Sequence, residues 1–172
     1  MMIKRIHKDN QIITLTYDYQ TAFFYDVVCY DLGFELKLTS FSQSIHKHFE
    51  DKLFQDYVED PYVLSYEKDG INVAYIEGSI QTWNQTYRIW NFLVLEPYRQ
   101  HGIGKALMDE SIKYAKSLSC RAIILEVQSC NINAINFYLK QGFKFIGLDT
   151  IAYSNEDIDK KEVRLEMGMT LS

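Results

Sequence analysis

The fold is decided by the stretch VLEPYRQHGIGKAL, residues 94–107, in which an apolar strand enters a basic, glycine-punctuated loop that leads into an amphipathic helix. Two glycines one residue apart, Gly102 and Gly104, let the backbone curl so that successive N–H groups point into one concavity at a helix N-terminus. Such a concavity favours an anion. Arg99 and Lys105 add positive charge at the two ends of the loop. The stretch therefore predicts a pyrophosphate cradle.

Other interpretations of this loop differ in what they require. An ordinary loop beside a helix start needs no ligand. A dinucleotide fingerprint, G-x-G-x-x-G, would use Glu126 as its ribose-binding acid. Two features oppose it, because Leu107 occupies the third glycine position and residues 96–101 intervene between the strand and the first glycine. A nucleotide P-loop is excluded, since no G-K-[S/T] follows the glycines.

A second segment, NINAINFYLKQGF at residues 131–143, follows one predicted helix and one predicted strand later. Together the two segments resemble the GCN5-related N-acetyltransferase superfamily, whose motifs read [Q/R]-x-x-G-x-[G/A] and N-x-x-A-x-x-[F/Y/L]-Y-x-x-x-G-F. The first motif is matched by Arg99, Gly102 and Gly104. The second is matched by Asn131, Ala134, Phe137, Tyr138, Gly142 and Phe143. The resemblance covers the last half of the chain well and the first half poorly.

The resemblance implies direct attack of a primary amine on acetyl-CoA, with both substrates bound together. It places acetyl-CoA beside Tyr138 and against the strand end and loop, at Leu93, Val94, Arg99, Gln100, His101, Gly102, Ile103, Gly104 and Lys105. A backbone N–H at the strand end would polarise the thioester carbonyl. Asn131 would bind the pantetheine arm or, alternatively, only cap its helix. Tyr138 would protonate the leaving thiolate or, alternatively, only pack its helix.

The general base is open at this stage. Related enzymes often carry a carboxylate on the strand before the loop, whereas this chain has Trp90 and Asn91 there. Glu126 is the first candidate, accepting through water the proton of an alkylammonium whose ordinary pKa is about 10.4. Glu77, Asp149 and a water chain are the others.

The acceptor is suggested by residues 143–155, FKFIGLDTIAYSN, which are similar to the D-T-x-x-Y-x-N region of streptothricin acetyltransferases. That resemblance implies a small, cationic amine acceptor, with possible antibiotic resistance. Several carboxylates either receive the cation or form a solvated acidic face: Asp56, Glu59, Asp60, Asp149, Glu156 and Asp157. A protein or peptide N-acetyltransferase and a catalytically silent acyl-CoA-binding module are the alternatives.

The composition argues against several classes of binding partner. A net charge of −5 argues against nucleic acid, and no apolar run is long enough for a membrane span, so a cytoplasmic protein is expected, as a monomer or homodimer. Cys29, Cys120 and Cys130 lack the spacing of metal ligands, and no metal is expected. His7, His46 and His48 show no partner pattern. Aromatic residues make up 15% of the chain, and much of the excess, Tyr17 included, lies in the first half. These side chains either form the core or line an acceptor pocket, and we expect most of them to lie in the core.

The 172 residues predict a single α+β domain, 1–172, with a mixed, mostly antiparallel central sheet flanked by helices. Hydrophobic periodicity predicts strands at 11–19, 33–40, 62–67, 71–82, 87–95, 122–127, 143–148 and 161–171. It predicts helices at 44–57, 103–118 and 133–141, the last ended by Gly142.

Overall fold

The computed structural model describes residues 2–9 and 12–171. A single 3₁₀ turn, Glu96–Tyr98, precedes the first helix. Within the described ranges the elements follow in this order: β1 (Met2–Ile6), β2 (Thr14–Cys29), β3 (Phe34–Lys52), β4 (Tyr62–Lys68), β5 (Ile71–Gln81), β6 (Thr86–Val94), α1 (Ile103–Ser117), β7 (Ala122–Gln128), α2 (Ile132–Lys140), β8 (Lys144–Asp149), α3 (Asp157–Lys160) and β9 (Arg164–Thr170).

The strands form a seven-stranded sheet of order β1-β4-β5-β6-β7-β9-β8 and a two-stranded ribbon, β2-β3. The pairs β1-β4, β4-β5, β5-β6 and β8-β9 are antiparallel. The predicted fold class, α+β with a mostly antiparallel sheet, is therefore confirmed. No helix in the described part of the chain is both long and apolar enough to cross a membrane.

As far as its residues are described, the chain forms two compact units. The first comprises Met1–Tyr17, Phe49–Ile124 and Thr170–Ser172, and the second comprises Asp18–His48 and Leu125–Met169. In the first unit α1 packs on β4, β5 and β6 through an apolar face whose central side chains are fully buried. A second apolar cluster in this unit joins Leu15, Leu53, Phe54, Val63 and Leu93. These two layers hold β6 and the loop that follows it.

The second unit contains α2, β8 and α3. It also contains the end of β7, nearly all of β9 and residues 18–48 of the ribbon. Ile135, Tyr138 and Phe143 are buried here, as the period of α2 predicts. The helix ends before Gly142, whose φ of +93° is the left-handed conformation expected of a residue after a helix. The short helix α3 was not predicted.

The predicted helix at 44–57 is wrong. Residues 44–52 belong instead to β3, which continues the predicted strand 33–40 into one arm of the ribbon. Ile45, Phe49 and Leu53 recur every four residues, and that spacing fits a strand as well as a helix because four is also a multiple of two. Pairing with β2 settles the conformation. The strand β1 was also missed, and Gln11, the predicted start of β2, lies outside the described residues.

The expectation that most aromatic residues of the first half lie in the core is also wrong. Tyr19, Phe24 and Phe54 are buried, but most of the others are half-buried or exposed. The ribbon explains the difference, since a two-stranded element has too little interior to bury side chains on both of its faces. Exposed aromatic side chains on the ribbon are therefore available for contacts other than core packing.

Candidate functional site

The glycine loop folds back onto the strand that precedes it. Arg99 Nε donates a hydrogen bond of 2.9 Å to the carbonyl oxygen of Val94, and the 3₁₀ turn lies between these two residues. Gln100 at φ +64° and Gly102 at φ +79° both adopt the left-handed conformation. Two left-handed residues separated by one residue curve the backbone sharply, and curved segments of this kind can turn N–H groups toward an anion.

The N-terminus of α1 opens into this loop. Gly102 is its N-cap and supplies no side-chain cap, so the first backbone N–H groups of the helix face outward from its end. A Cβ built on Gly102 would meet nothing within 4 Å. That open space, rimmed by N–H groups and by the positive end of a helix dipole, fits a pyrophosphate. Acetyl-CoA binding at residues 99–105 stays a prediction.

The loop's other charged side chains make local contacts. Lys105 Nζ lies 2.6 Å from Asp109 Oδ2, on the exposed side of α1. His101 is exposed, and its Nδ1 lies 2.7 Å from the carbonyl oxygen of Arg99. Both side chains are at the surface beside the loop. They can contact a phosphate only in addition to these partners.

The strand before the loop carries a β-bulge. Glu77 faces Asn91 and Gly78 faces Ile89, so Trp90 is the extra residue on β6. The indole Nε1 of Trp90 donates to Ser79 Oγ at 2.9 Å. Beyond the bulge, Leu93 is buried and Val94 is half-buried. A bulge of this kind bends its strand and increases the local twist.

A chain of hydrogen bonds crosses the sheet face beside the bulge. Tyr17 Oη donates to Asn91 Oδ1 at 2.8 Å, and Asn91 Nδ2 donates to Glu77 Oε2 at 2.9 Å. The backbone N–H of Phe54 donates to the other carboxylate oxygen, Glu77 Oε1, at 2.7 Å. Burial raises the pKa of Glu77, although these hydrogen bonds oppose the shift. Both oxygens of Glu77 are engaged and its side chain is fully buried, which disfavours it as the general base.

In the second unit, one guanidinium brings together two of the candidate acids. Arg164 Nη1 lies 3.6 Å from Glu126 Oε2, and Nη2 lies 3.5 Å from Asp149 Oδ2. Its Nε lies 3.1 Å from Glu166 Oε1, a close contact without hydrogen-bond alignment. All four side chains are partly exposed. Three carboxylates sharing one cation form a cluster with a net negative charge.

Tyr153 extends this carboxylate cluster. Its hydroxyl donates to Glu126 Oε1 at 3.4 Å, and its backbone N–H donates to Asp157 at 2.9 Å. Burial raises the pKa of Tyr153, and the Glu126 carboxylate raises it further. Asp157 is almost fully buried and also accepts from Ser154 Oγ at 2.8 Å. Asp157 therefore stabilises its own loop, and the expectation that it helps to receive a cation is corrected.

Asn131 and Tyr138 occupy the helix that carries the second motif. Asn131 is the N-cap of α2, where its Oδ1 accepts from the backbone N–H of Ala134 at 3.2 Å. The capping interpretation is confirmed. Tyr138 is buried, and burial raises the pKa of its phenol, which keeps the hydroxyl protonated at neutral pH. Protonation is the state that a thiolate acid needs.

The expectation that the histidines lack partners is wrong for two of them. His46 Nε2 lies 2.9 Å and His48 Nδ1 lies 3.1 Å from the carboxylate of Asp18. Cys130 is fully buried beside the Tyr19 hydroxyl, and burial raises the pKa of its thiol. Within residues 2–9 and 12–171, no three His, Cys, Asp or Glu side chains are placed to hold a metal ion.

The sequence analysis missed Arg164 and the hydrogen bond between Tyr17 and Asn91. Arg164 stands two residues before Glu166 on a predicted strand, so the two side chains lie on one face, and that alternation was an available signal. Tyr17 was grouped only with the aromatic residues of the core or of an acceptor pocket, because its partner Asn91 lies far along the chain. Asn91 itself was considered only as a failed general base.

Comparisons with known proteins identify the family and the fold. A model of the acetyltransferase (GNAT) family matches residues 30–143. Streptothricin acetyltransferase A of Bacillus subtilis (strain 168) is 33% identical over 114 residues, which are 55% of this chain and 66% of that protein. The match thus spans just under two thirds of that relative's length.

Two solved structures share the fold over nearly the whole chain. Nourseothricin acetyltransferase has a TM-score of 0.77 at 24% identity, covering 94% of this chain and 99% of that one. A Bacillus anthracis str. Ames protein solved with acetyl coenzyme A has a TM-score of 0.71 at 18% identity, covering 94% and 98%. The family match confirms the resemblance drawn from the two motifs: the chain belongs to the GNAT acetyltransferase family.

Proposed function

We propose that this protein transfers the acetyl group of acetyl-CoA to a primary amine of a small cationic acceptor, such as a streptothricin-like antibiotic, in the cytoplasm. The observation that carries the proposal is the loop at residues 99–106. There Gly102 is left-handed, the space beside it is open and the start of α1 has no side-chain cap, features that support binding of an anion shortly after β6. The name of the B. subtilis relative favours a streptothricin-like acceptor.

In the proposed reaction the amine nitrogen attacks the thioester carbonyl carbon in a ternary complex. The N–C bond forms as the C–S bond breaks, the amine loses a proton and the sulfur gains one. The strand end at Leu93 and Val94 supplies a backbone N–H to the carbonyl oxygen. Tyr138 gives its proton to the departing sulfur, and its raised pKa is consistent with a hydroxyl that is protonated beforehand.

Glu126 receives the amine's proton through water in this proposal. It is a partly exposed carboxylate fixed by Arg164 and Tyr153, so that its oxygens have defined directions. Together with Asp149 and Glu166 it also supplies negative charge that favours a cationic acceptor. Since only the unprotonated amine attacks, activity rises with pH through the neutral to mildly alkaline range.

The test is release of free CoA thiol from acetyl-CoA with a panel of streptothricin, aminoglycosides, polyamines and peptides with a free N-terminus. We expect turnover that depends on a small cationic amine. Turnover on peptides alone would replace the proposal with a peptide N-acetyltransferase. Acetyl-CoA binding by calorimetry without turnover on any amine would indicate a silent acyl-CoA-binding module.

A further inference from the structure

The hydroxyl of Tyr17 has a fixed polarity. Its hydrogen is donated to Asn91 Oδ1, 2.8 Å away. A phenol has one hydrogen, so any additional hydrogen bond that Tyr17 Oη makes must be one that it accepts. A ligand that meets this oxygen must therefore bring a donor, such as the N–H of an amine.

Glu77 is what fixes that polarity. A carboxylate accepts hydrogen bonds and has none to donate, so the Asn91 amide must turn Nδ2 toward Glu77 and Oδ1 toward Tyr17. The Phe54 N–H occupies the second oxygen of Glu77 and holds the carboxylate in place. Asn91 and Glu77 are buried, so water does not compete readily for these contacts. The buried carboxylate of Glu77 therefore sets which group donates and which accepts in every hydrogen bond of this series.

Tyr17, the outer residue of this series of hydrogen bonds, is bonded to Asn91, which lies close to the strand end at which the thioester is expected. Asn91 precedes Leu93 by two residues on β6, which corresponds to about 7 Å along a strand and the same face of the sheet. Tyr17 is half-buried, and its ring stacks on that of the exposed Phe49, with centroids 4.8 Å apart and planes 8° apart. The phenol is thus held at its hydroxyl and at its ring, in a side chain that is partly exposed.

We propose that Tyr17 determines acceptor specificity, by accepting at Oη a hydrogen bond from an N–H of the acceptor amine, with Asn91 and Glu77 as positioning residues. The inference rests on the proposed function and names how the acceptor is recognised. It selects nitrogen donors over acceptors that present only oxygen acceptor atoms. An N–H on the charged or the neutral amine satisfies it equally.

Tyr17→Phe tests the hydroxyl while keeping the ring that stacks on Phe49. We expect KM for the amine to rise roughly 10- to 100-fold, the range of a hydrogen bond to a charged group, with KM for acetyl-CoA unchanged. The matched control is Tyr30→Phe, which removes an exposed hydroxyl 3.4 Å from Glu35 and should leave both KM values unchanged. An unchanged amine KM in Tyr17→Phe would overturn the inference.

Glu77→Gln tests the polarity with Tyr17 intact. Glutamine has one acceptor and one donor end, so keeping the Phe54 contact turns its Nε2 toward Asn91. The Asn91 amide then flips and donates to Tyr17, whose hydrogen is driven outward against the acceptor's N–H. We expect the amine KM to rise as in Tyr17→Phe, with no further rise in the double variant. Effects that multiply in the double variant would contradict the relay, and thermal unfolding shows whether Glu77→Gln is folded.

Different outcomes refute the proposed function and the role of Tyr17. Wild-type protein that turns over no amine refutes the proposed function. Wild-type turnover combined with an unaltered amine KM in Tyr17→Phe refutes only the role of Tyr17, and that readout does not depend on whether Glu77→Gln folds.

Discussion

Arg99 Nε lies 2.9 Å from the carbonyl oxygen of Val94, so the last residue of β6 and the first residue of the glycine motif are joined by one hydrogen bond. Part of the guanidinium is thereby used to shape the loop, in addition to placing positive charge beside it. Binding of the pyrophosphate in our proposal depends on that shape, in which backbone N–H groups face one concavity.

Gly102→Ala should weaken acetyl-CoA binding. The new Cβ enters the space proposed for the pyrophosphate and strains a residue at φ +79°, so we expect Kd to rise about tenfold, or about 1.4 kcal/mol. Gly70→Ala is the matched control, because Gly70 has a φ of +80° and equally open surroundings. Both variants should lose about 1 kcal/mol of stability, while calorimetry detects a binding change only in Gly102→Ala. Equal Kd values in the two variants would refute the cradle.

Tyr138→Phe should lower kcat roughly 10- to 1,000-fold while acetyl-CoA affinity is retained, because only the proposed thiolate acid is lost. Tyr87→Phe is the control for removing a buried hydroxyl. Among the described residues no hydrogen-bond partner reaches Tyr87 Oη, so its removal should leave kcat unchanged and should not lower stability. Unchanged kcat in Tyr138→Phe, under conditions where chemistry limits the rate, would exclude Tyr138.

Asp149→Asn should raise KM for a polycationic acceptor and leave acetyl-CoA binding unchanged. The change removes one of the carboxylates around Arg164, and with it part of the attraction for a cation. Because these groups are partly exposed, the effect should shrink as salt is added, over a Debye length of about 8–10 Å. Glu110→Gln, an exposed carboxylate paired with Lys113, is the charge-matched control. Should a neutral or anionic amine be the best substrate, the cationic acceptor would be disproved.

Glu77 should make the protein less stable as pH rises toward neutrality. Burial raises its folded pKa above the ordinary 4.5, so between the two values the folded state binds more protons than the unfolded state. The cost of the buried charge is complete above the folded pKa and absent below 4.5. The free energy of unfolding of the wild type should therefore fall, relative to Glu77→Gln, as pH increases through this window. Urea unfolding of both proteins at several pH values measures it, and a constant difference would contradict the raised pKa.

Much of the fold follows from local pattern, and the main error has a simple cause. The helix at 103–118 and the strands from Tyr62 to Val94 were predicted within a residue or two, because their apolar periods are unambiguous. Ile45, Phe49 and Leu53 satisfy both periods at once. Only pairing with β2, which is distant in sequence, decides between them, and single-segment periodicity carries no information about such pairing.

The features of the candidate site also differ in whether the local sequence carries a signal for them. The left-handed turn at Gly102 and the cap at Asn131 depend on neighbours within a few residues, so the sequence carries a local signal for both. The three carboxylates around Arg164 come from separate strands, and the Tyr17, Asn91 and Glu77 chain joins three more elements. Such sets are assembled only by the folded backbone. Their members were visible in the sequence as single polar residues with no stated partner.

The residues of the ribbon and its flanks differ in how much they contribute to the stability of the fold. In the first unit, Leu15 and Leu53 are buried in the core, Tyr17 is half-buried against that core, and Phe49 is exposed. A mutation at Phe49 therefore costs little folding energy, and selection could act on it directly. New acceptor preferences could arise here in single evolutionary steps, with the acetyl-donor machinery inherited unchanged.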